Sequence, residues 1–182
     1  MDINMPYDNL NNTLLSNHVF YLNGEIDDYN TSECIKWIIS ENLTHTDVEL
    51  TLYINTPGGD LANAFALIDI MRESRLPIKT IGIGAIHSAG FLIFASGTVG
   101  RRIVSKNTSI MIHQYSTVYG GKQHDMKAHV RELEISQNKI VKLLEEITGY
   151  DSYDVIEYFL PPSDVWLTAT ELVAYKIADK VS

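Results

Sequence analysis

The sequence predicts an α/β fold with a largely parallel sheet, and three observations predict it. Short apolar runs alternate with stretches of helical periodicity along most of the chain. The run Leu50-Thr51-Leu52-Tyr53-Ile54-Asn55 ends in Thr56-Pro57-Gly58-Gly59-Asp60, a turn with two adjacent glycines. The run Ile78-Lys79-Thr80-Ile81-Gly82-Ile83 leads through small residues to Ser88 and on into the apolar stretch Phe91 to Ala95, stopped by Gly97. Ser88 therefore falls at a strand-to-helix turn, where new helix N–H groups have no intrahelical partner.

The elements follow in order. Residues 1–16 are rich in Asn and Asp and are expected as a short, loose arm; residues 17–182 are expected as one domain. Val19 to Leu22 reads as a buried strand. Thr31 to Leu43 reads as a helix with Ile35, Ile38 and Ile39 on one face. Leu61, Ala64, Phe65, Ile68 and Met71 keep helical spacing up to Leu76-Pro77. After the Ser88 region, Arg101 to Val104 and Ser109 to Gln114 read as short strands. A helical pattern from about His124 to Thr148 carries a narrow stripe of Met126, Val130, Leu133, Ile140, Val141 and Leu144, interrupted by Gln137. So thin a stripe predicts packing against another chain, the alternative being a surface helix on its own domain. Helices over Asp151 to Leu160 and Thr170 to Ala178 complete the chain, separated by Pro161-Pro162.

Composition bounds the function. The 182 residues carry a formal net charge of −9 with no basic cluster, which argues against nucleic acid as a partner. No apolar run reaches a membrane span, and the start of the chain does not read as a signal peptide. Cys34 is the single cysteine and reads as a small core residue, which fits a reducing, cytoplasmic compartment. No metal site and no cofactor site is read. His18, His45, His124 and His129 sit at polar or edge positions, and His87 on the Ser88 turn is expected to point away from its neighbour.

His113 differs, because it follows the strand Ile110-Met111-Ile112 and so lies at a strand end. A serine at a helix start and a histidine at a strand end are two parts of a nucleophile–base pair. The turn alone leaves two readings of Ser88 open, nucleophile or helix N-cap. It lacks the G-x-S-x-G elbow pattern, since Ile86 holds the first glycine position. The acid of such a site is not defined by spacing.

Four blocks make the resemblance specific. Tyr53 to Gly59, His87-Ser88-Ala89-Gly90, Met111-Ile112-His113-Gln114 and Asp164 to Glu171 resemble, in order, the signature blocks of the ClpP family, the proteolytic subunit of the ATP-dependent Clp protease. The likeness runs from about Asn17 to Val181. It implies a ClpP/crotonase-like spiral of strand–strand–helix units with a protruding handle, here about residues 115–148. It implies a serine endopeptidase with Ser88 as nucleophile, His113 as general base and Asp164 as the residue that orients it. The backbone N–H groups of Gly59 and Ala89 would form the oxyanion hole. Peptide or unfolded protein would bind beside Gly58, Asp60 and Leu61 on one side and Gln114 and Tyr115 on the other. The implied assembly is a homo-oligomer of two stacked seven-membered rings, with an AAA+ Clp ATPase as a further partner.

Three departures qualify the family pattern. Tyr115 stands where proline is usual and restores an N–H. Pro162-Ser163 replaces an acid–Arg pair before Asp164, so that Asp164 is expected to be held locally. The arm before Val19 is short, which suits a phage-type or otherwise specialised member. Two other functions stay open: a non-proteolytic structural or regulatory ring subunit, and a crotonase-like acyl-CoA enzyme.

Overall fold

A computed structural model describes residues 5–182, with side chains from residue 9 onward. Five strands form the backbone of one sheet in the order β1 (Val19–Asn23), β2 (Leu50–Thr56), β3 (Ile78–His87), β4 (Arg102–Val104) and β7 (Lys180–Val181), all parallel. The helices α2 (Asp28–Thr44), α3 (Leu61–Glu73) and α4 (Ala89–Ala95) connect β1 through β4 in turn. The expected α/β class is thus observed. Along β2 burial alternates strictly, with Leu50, Leu52, Ile54 and Thr56 inside. In α4 every residue is buried, and Phe91 and Phe94 are among the largest enclosed side chains. Truncating either to Ala would cost about 3–5 kcal/mol.

Strand β3 is longer than the sequence predicts and changes neighbours along its length. Thr80 to Gly82 pair with β4, whereas Ala85 to His87 pair with β5 (Ser109–Ile112). The switch falls at Gly84, which has a left-handed φ of 59°. Opposite it β2 shifts register between Ile54 and Thr56. Asn55 holds this bulge: its Oδ1 accepts the Ala85 N–H at 2.9 Å and would collide with a Cβ on Gly84. The bend turns the end of β3, and so Ser88, out of the main sheet. Strand β6 (Val165–Leu167) then runs antiparallel to β5, the single antiparallel pairing among the described residues. Neither β6 nor β7 is predicted from periodicity, because two or three residues carry no readable alternation.

Several expectations change. Residues 5–16 form a helix, α1 (Met5–Ser16), not a loose arm; residues 1–4 lie outside the described residues. Its Asn-rich sequence has little intrinsic helix preference, and docking supplies the rest: Leu15 meets Val19 and Phe20 across a shallow groove. On α2 the buried face is Thr31, Cys34, Trp37, Ile38 and Glu41, while Ile39 is 44% exposed. Cys34 is fully enclosed, and burial pushes its thiol far above its ordinary range, as a core cysteine requires. The final helix, α7, is short (Ala169–Ala174), closed by a Thr168–Glu171 capping box at its start.

The handle, α5 (Gln123–Thr148), is present, and α6 (Ser152–Phe159) follows it. Its stripe divides into two parts. Ile140, Val141 and Leu144 are buried in the domain's own core, so they are unavailable to another chain. Met126 and Val130 stand 42% and 52% exposed. Gln137, the break in the stripe, accepts the Tyr115 N–H at 2.9 Å and ties the handle to the chain after β5.

Candidate active site

Ser88 sits at the β3–α4 junction with φ 52° and ψ −122°, a conformation that costs a non-glycine residue about 1–3 kcal/mol. Surrounding structure fixes it. The Ser88 N–H donates to Met111 O at 2.8 Å on β5, and Ser88 O accepts from Phe91 N at 3.0 Å. Room for the elbow comes from glycines elsewhere in the chain. A Cβ on Gly58 would stand 2.7 Å from Ser88 Cβ and 2.8 Å from His87 O, and one on Gly90 would strike Thr56. The G-x-S-x-G spacing is therefore unnecessary here, because Gly58 on the preceding turn clears the same space.

The glycine turn also leaves a donor free. Ile26 bridges Gly59 in parallel: Ile26 N donates to Gly58 O at 2.9 Å and Asp60 N to Ile26 O at 2.8 Å. In such a bridge the polar groups of the central residue point the other way. The Gly59 N–H is thus turned from Ile26, and Gly59 lines one cavity with Ser88. Ala89 is the first residue of α4, and its N–H has no intrahelical acceptor.

That cavity, of about 220 Å³, is lined by Gly59, Ser88, Ala89 and His113, with Leu61, Leu92, Ile112 and Ile140 as apolar walls. Gln114 and Tyr115 also border it. Gly58 and Asp60 are absent from its lining. Asp60 instead caps α3, its carboxylate accepting the Asn63 N–H at 2.8 Å. The Gln114 amide donates to Leu160 O at 2.7 Å, away from the cavity. The N–H that Tyr115 restores is taken by Gln137, so it is closed to an incoming strand as a proline would be. Burial, with Glu132 and Asp60 adding to it, raises the Tyr115 phenol above its ordinary value.

Strand pairing brings Asp164 beside His113. In the β5–β6 pair Ile112 faces Val165, so one step further His113 stands opposite Asp164. The two residues border a second cleft together with Pro161 and Pro162. His113 thus lies between the Ser88 cavity and the Asp164 cleft. Its Nδ1 donates to Gln114 O at 2.5 Å. Among the described residues no hydrogen bond joins His113 to Ser88 or to Asp164. His87 points elsewhere, as expected: its Nε2 lies 2.9 Å from Ser109 Oγ and its ring meets Trp166 edge-on, and burial lowers its pKa.

Fold and site together define an α/β protein of the ClpP/crotonase-like class, with a serine elbow and a strand-end histidine on one cavity. The chain belongs to the Clp protease family, whose model matches residues 4–182. It is similar to the chloroplastic ATP-dependent Clp protease proteolytic subunit 3 of Arabidopsis thaliana, with 30% identity over 138 residues. That match covers 76% of this chain and 45% of the relative, so the aligned part spans less than half of that relative's length.

Proposed function

We propose that the protein is a serine endopeptidase of the ClpP type, cleaving peptides or unfolded protein inside a ring-shaped homo-oligomer. One observation carries the reading: Ser88, His113 and the unpaired N–H groups of Gly59 and Ala89 share a single cavity. Ser88 Oγ attacks the scissile carbonyl, and His113 takes its proton at Nε2. The hydrogen bond to Gln114 O leaves the proton on Nδ1, the tautomer a general base needs. A side-chain rotation of His113 exchanges that carbonyl for the Asp164 carboxylate, which would stabilise the imidazolium. Gly59 and Ala89 N–H receive the oxyanion, and His113 returns its proton to the leaving amine. Water then hydrolyses the acyl-enzyme by the same route in reverse. The apolar walls Leu61, Leu92, Ile112 and Ile140 favour a medium-sized apolar side chain next to the scissile bond.

A fluorophosphonate probe tests the reading. It should label the wild type at Ser88 and leave Ser88→Ala unlabelled, with the fold intact by circular dichroism. His113→Ala and Asp164→Asn should cut peptide turnover severely, the latter by about 10,000-fold if the carboxylate acts as in trypsin. An unlabelled wild type would instead favour the non-proteolytic ring subunit, the reading to which the unjoined His113 and Asp164 side chains lend weight.

A further inference from the structure

We propose that His18, Glu41 and His45 form a binding site for a divalent transition-metal ion, zinc foremost, at the end of the sheet opposite Ser88. The site does not depend on the peptidase reading. Glu41 lies on the last turn of α2 and His45, four residues on, is its C-cap, with its side chain turned back to Glu41. His18 approaches from the α1–β1 junction. The Nδ1 atoms of His18 and His45 lie 2.8 Å and 3.0 Å from the same Glu41 Oε2, and the ligand atoms of all three residues fall within 4.8 Å of one another. Tetrahedral zinc bonds of about 2.0–2.1 Å place ligand atoms about 3.3 Å apart. Each imidazole–carboxylate contact would therefore open by only a few tenths of an ångström around the ion.

Four features favour an ion over a plain hydrogen-bonded cluster. Glu41 is 7% exposed, and among the described residues no Lys or Arg pairs with it. A buried carboxylate with no Lys or Arg partner is a group that a divalent cation would stabilise. The carboxylate is also oriented from behind: Trp37 Nε1, one turn earlier on α2, donates to Glu41 Oε1 at 3.1 Å and leaves Oε2 for the ion. His18 is held in a left-handed conformation, φ 59°, by its N–H to Leu15 O at 3.0 Å and its carbonyl to Thr51 N at 2.9 Å. The His18 and His45 side chains keep 26% and 39% of their surface open, which gives an ion access and leaves a fourth position for water. On binding at Nδ1, each ring proton sits on Nε2. The bound ion would pin the α1–β1 junction to the end of α2.

The test uses the full chain, stripped with chelator and titrated with cobalt(II) as a spectroscopic stand-in for zinc. One cobalt per chain with the visible bands of a four-coordinate site is expected. Zinc at 100 times its Kd should raise the melting temperature by about 5 °C or more. Both effects should vanish in His18→Gln/His45→Gln and weaken in the milder His45→Gln. Absent cobalt bands, or bands and thermal shifts equal in wild type and double variant, would overturn the proposal.

Discussion

Gly58 shows how one missing methyl group decides whether Ser88 can hold its position. An added Cβ would fall inside the contact distance of both Ser88 Cβ and His87 O, at a φ of 96° that L-residues rarely adopt. Gly58→Ala should therefore displace the elbow and lower peptide turnover by about 100-fold or more, the loss a shift near 1 Å brings. A second residue-scale test lies far from the cavity. Arg102 is 3% exposed, and its guanidinium binds the Asp179 carboxylate through Nε at 3.0 Å and Nη2 at 2.7 Å. Burial works to raise the Asp179 pKa, but the hydrogen bonds and charge of Arg102 outweigh it and hold it below its ordinary value. A carboxylate lowered in the folded state contributes stability above its unfolded pKa, about 3.9, and loses it as pH falls through the folded value. Asp179→Asn should cost about 3 kcal/mol near neutral pH, because it leaves a buried guanidinium unpaired. The deficit against wild type should shrink below pH 4 in equilibrium denaturation.

The handle separates two jobs that its sequence runs together. Charge at Val130, half exposed, should break assembly and spare the fold: Val130→Glu is expected to sediment as smaller species with an unchanged melting curve. Charge at Ile140, 4% exposed, should do the opposite, and Ile140→Glu is expected to unfold or aggregate. A Val130→Glu protein that sediments like wild type would remove the projecting half of α5 from the assembly surface. Periodicity alone could place α5 within one residue of its observed start, because a long helix repeats its signal many times. It could not say which half of the stripe the domain itself buries, since that depends on where α4 and α6 come to rest. The same limit applies at the site. Ser88 and His113 were legible as a helix start and a strand end, but Asp164 was reachable only through family resemblance. The pairing that sets it opposite His113 is a three-residue antiparallel strand with no pattern of its own. His18 and His45 looked unremarkable in sequence, because the buried carboxylate between them belongs to a helix whose inner face reads as Ile35, Ile38 and Ile39, of which Ile38 is buried.

At the scale of the whole molecule the residues of the proposed triad are brought close to one another but not joined. Backbone register puts His113 opposite Asp164, and Ser88 is fixed by β5, yet the His113 Nδ1–H is spent on its neighbour's carbonyl. A carbonyl and a carboxylate can both accept that proton, and a charged acceptor forms the stronger bond to a cationic imidazole. The segment that carries the choice, residues 113–122, has no strand or helix of its own and leads directly into the projecting half of α5. A body that packs on that half is expected to order the chain after His113 as well. Assembly and catalysis should therefore be coupled. Turnover per chain should rise with protein concentration, and its midpoint should match that of oligomer formation by sedimentation. Val130→Glu should lose turnover in step with assembly although its side chain lies outside the Ser88 cavity. Raising its concentration until rings reform should restore turnover. Turnover per chain that stays constant from the dissociated to the assembled state would show that His113 aligns within a single chain, and the coupling would then be absent.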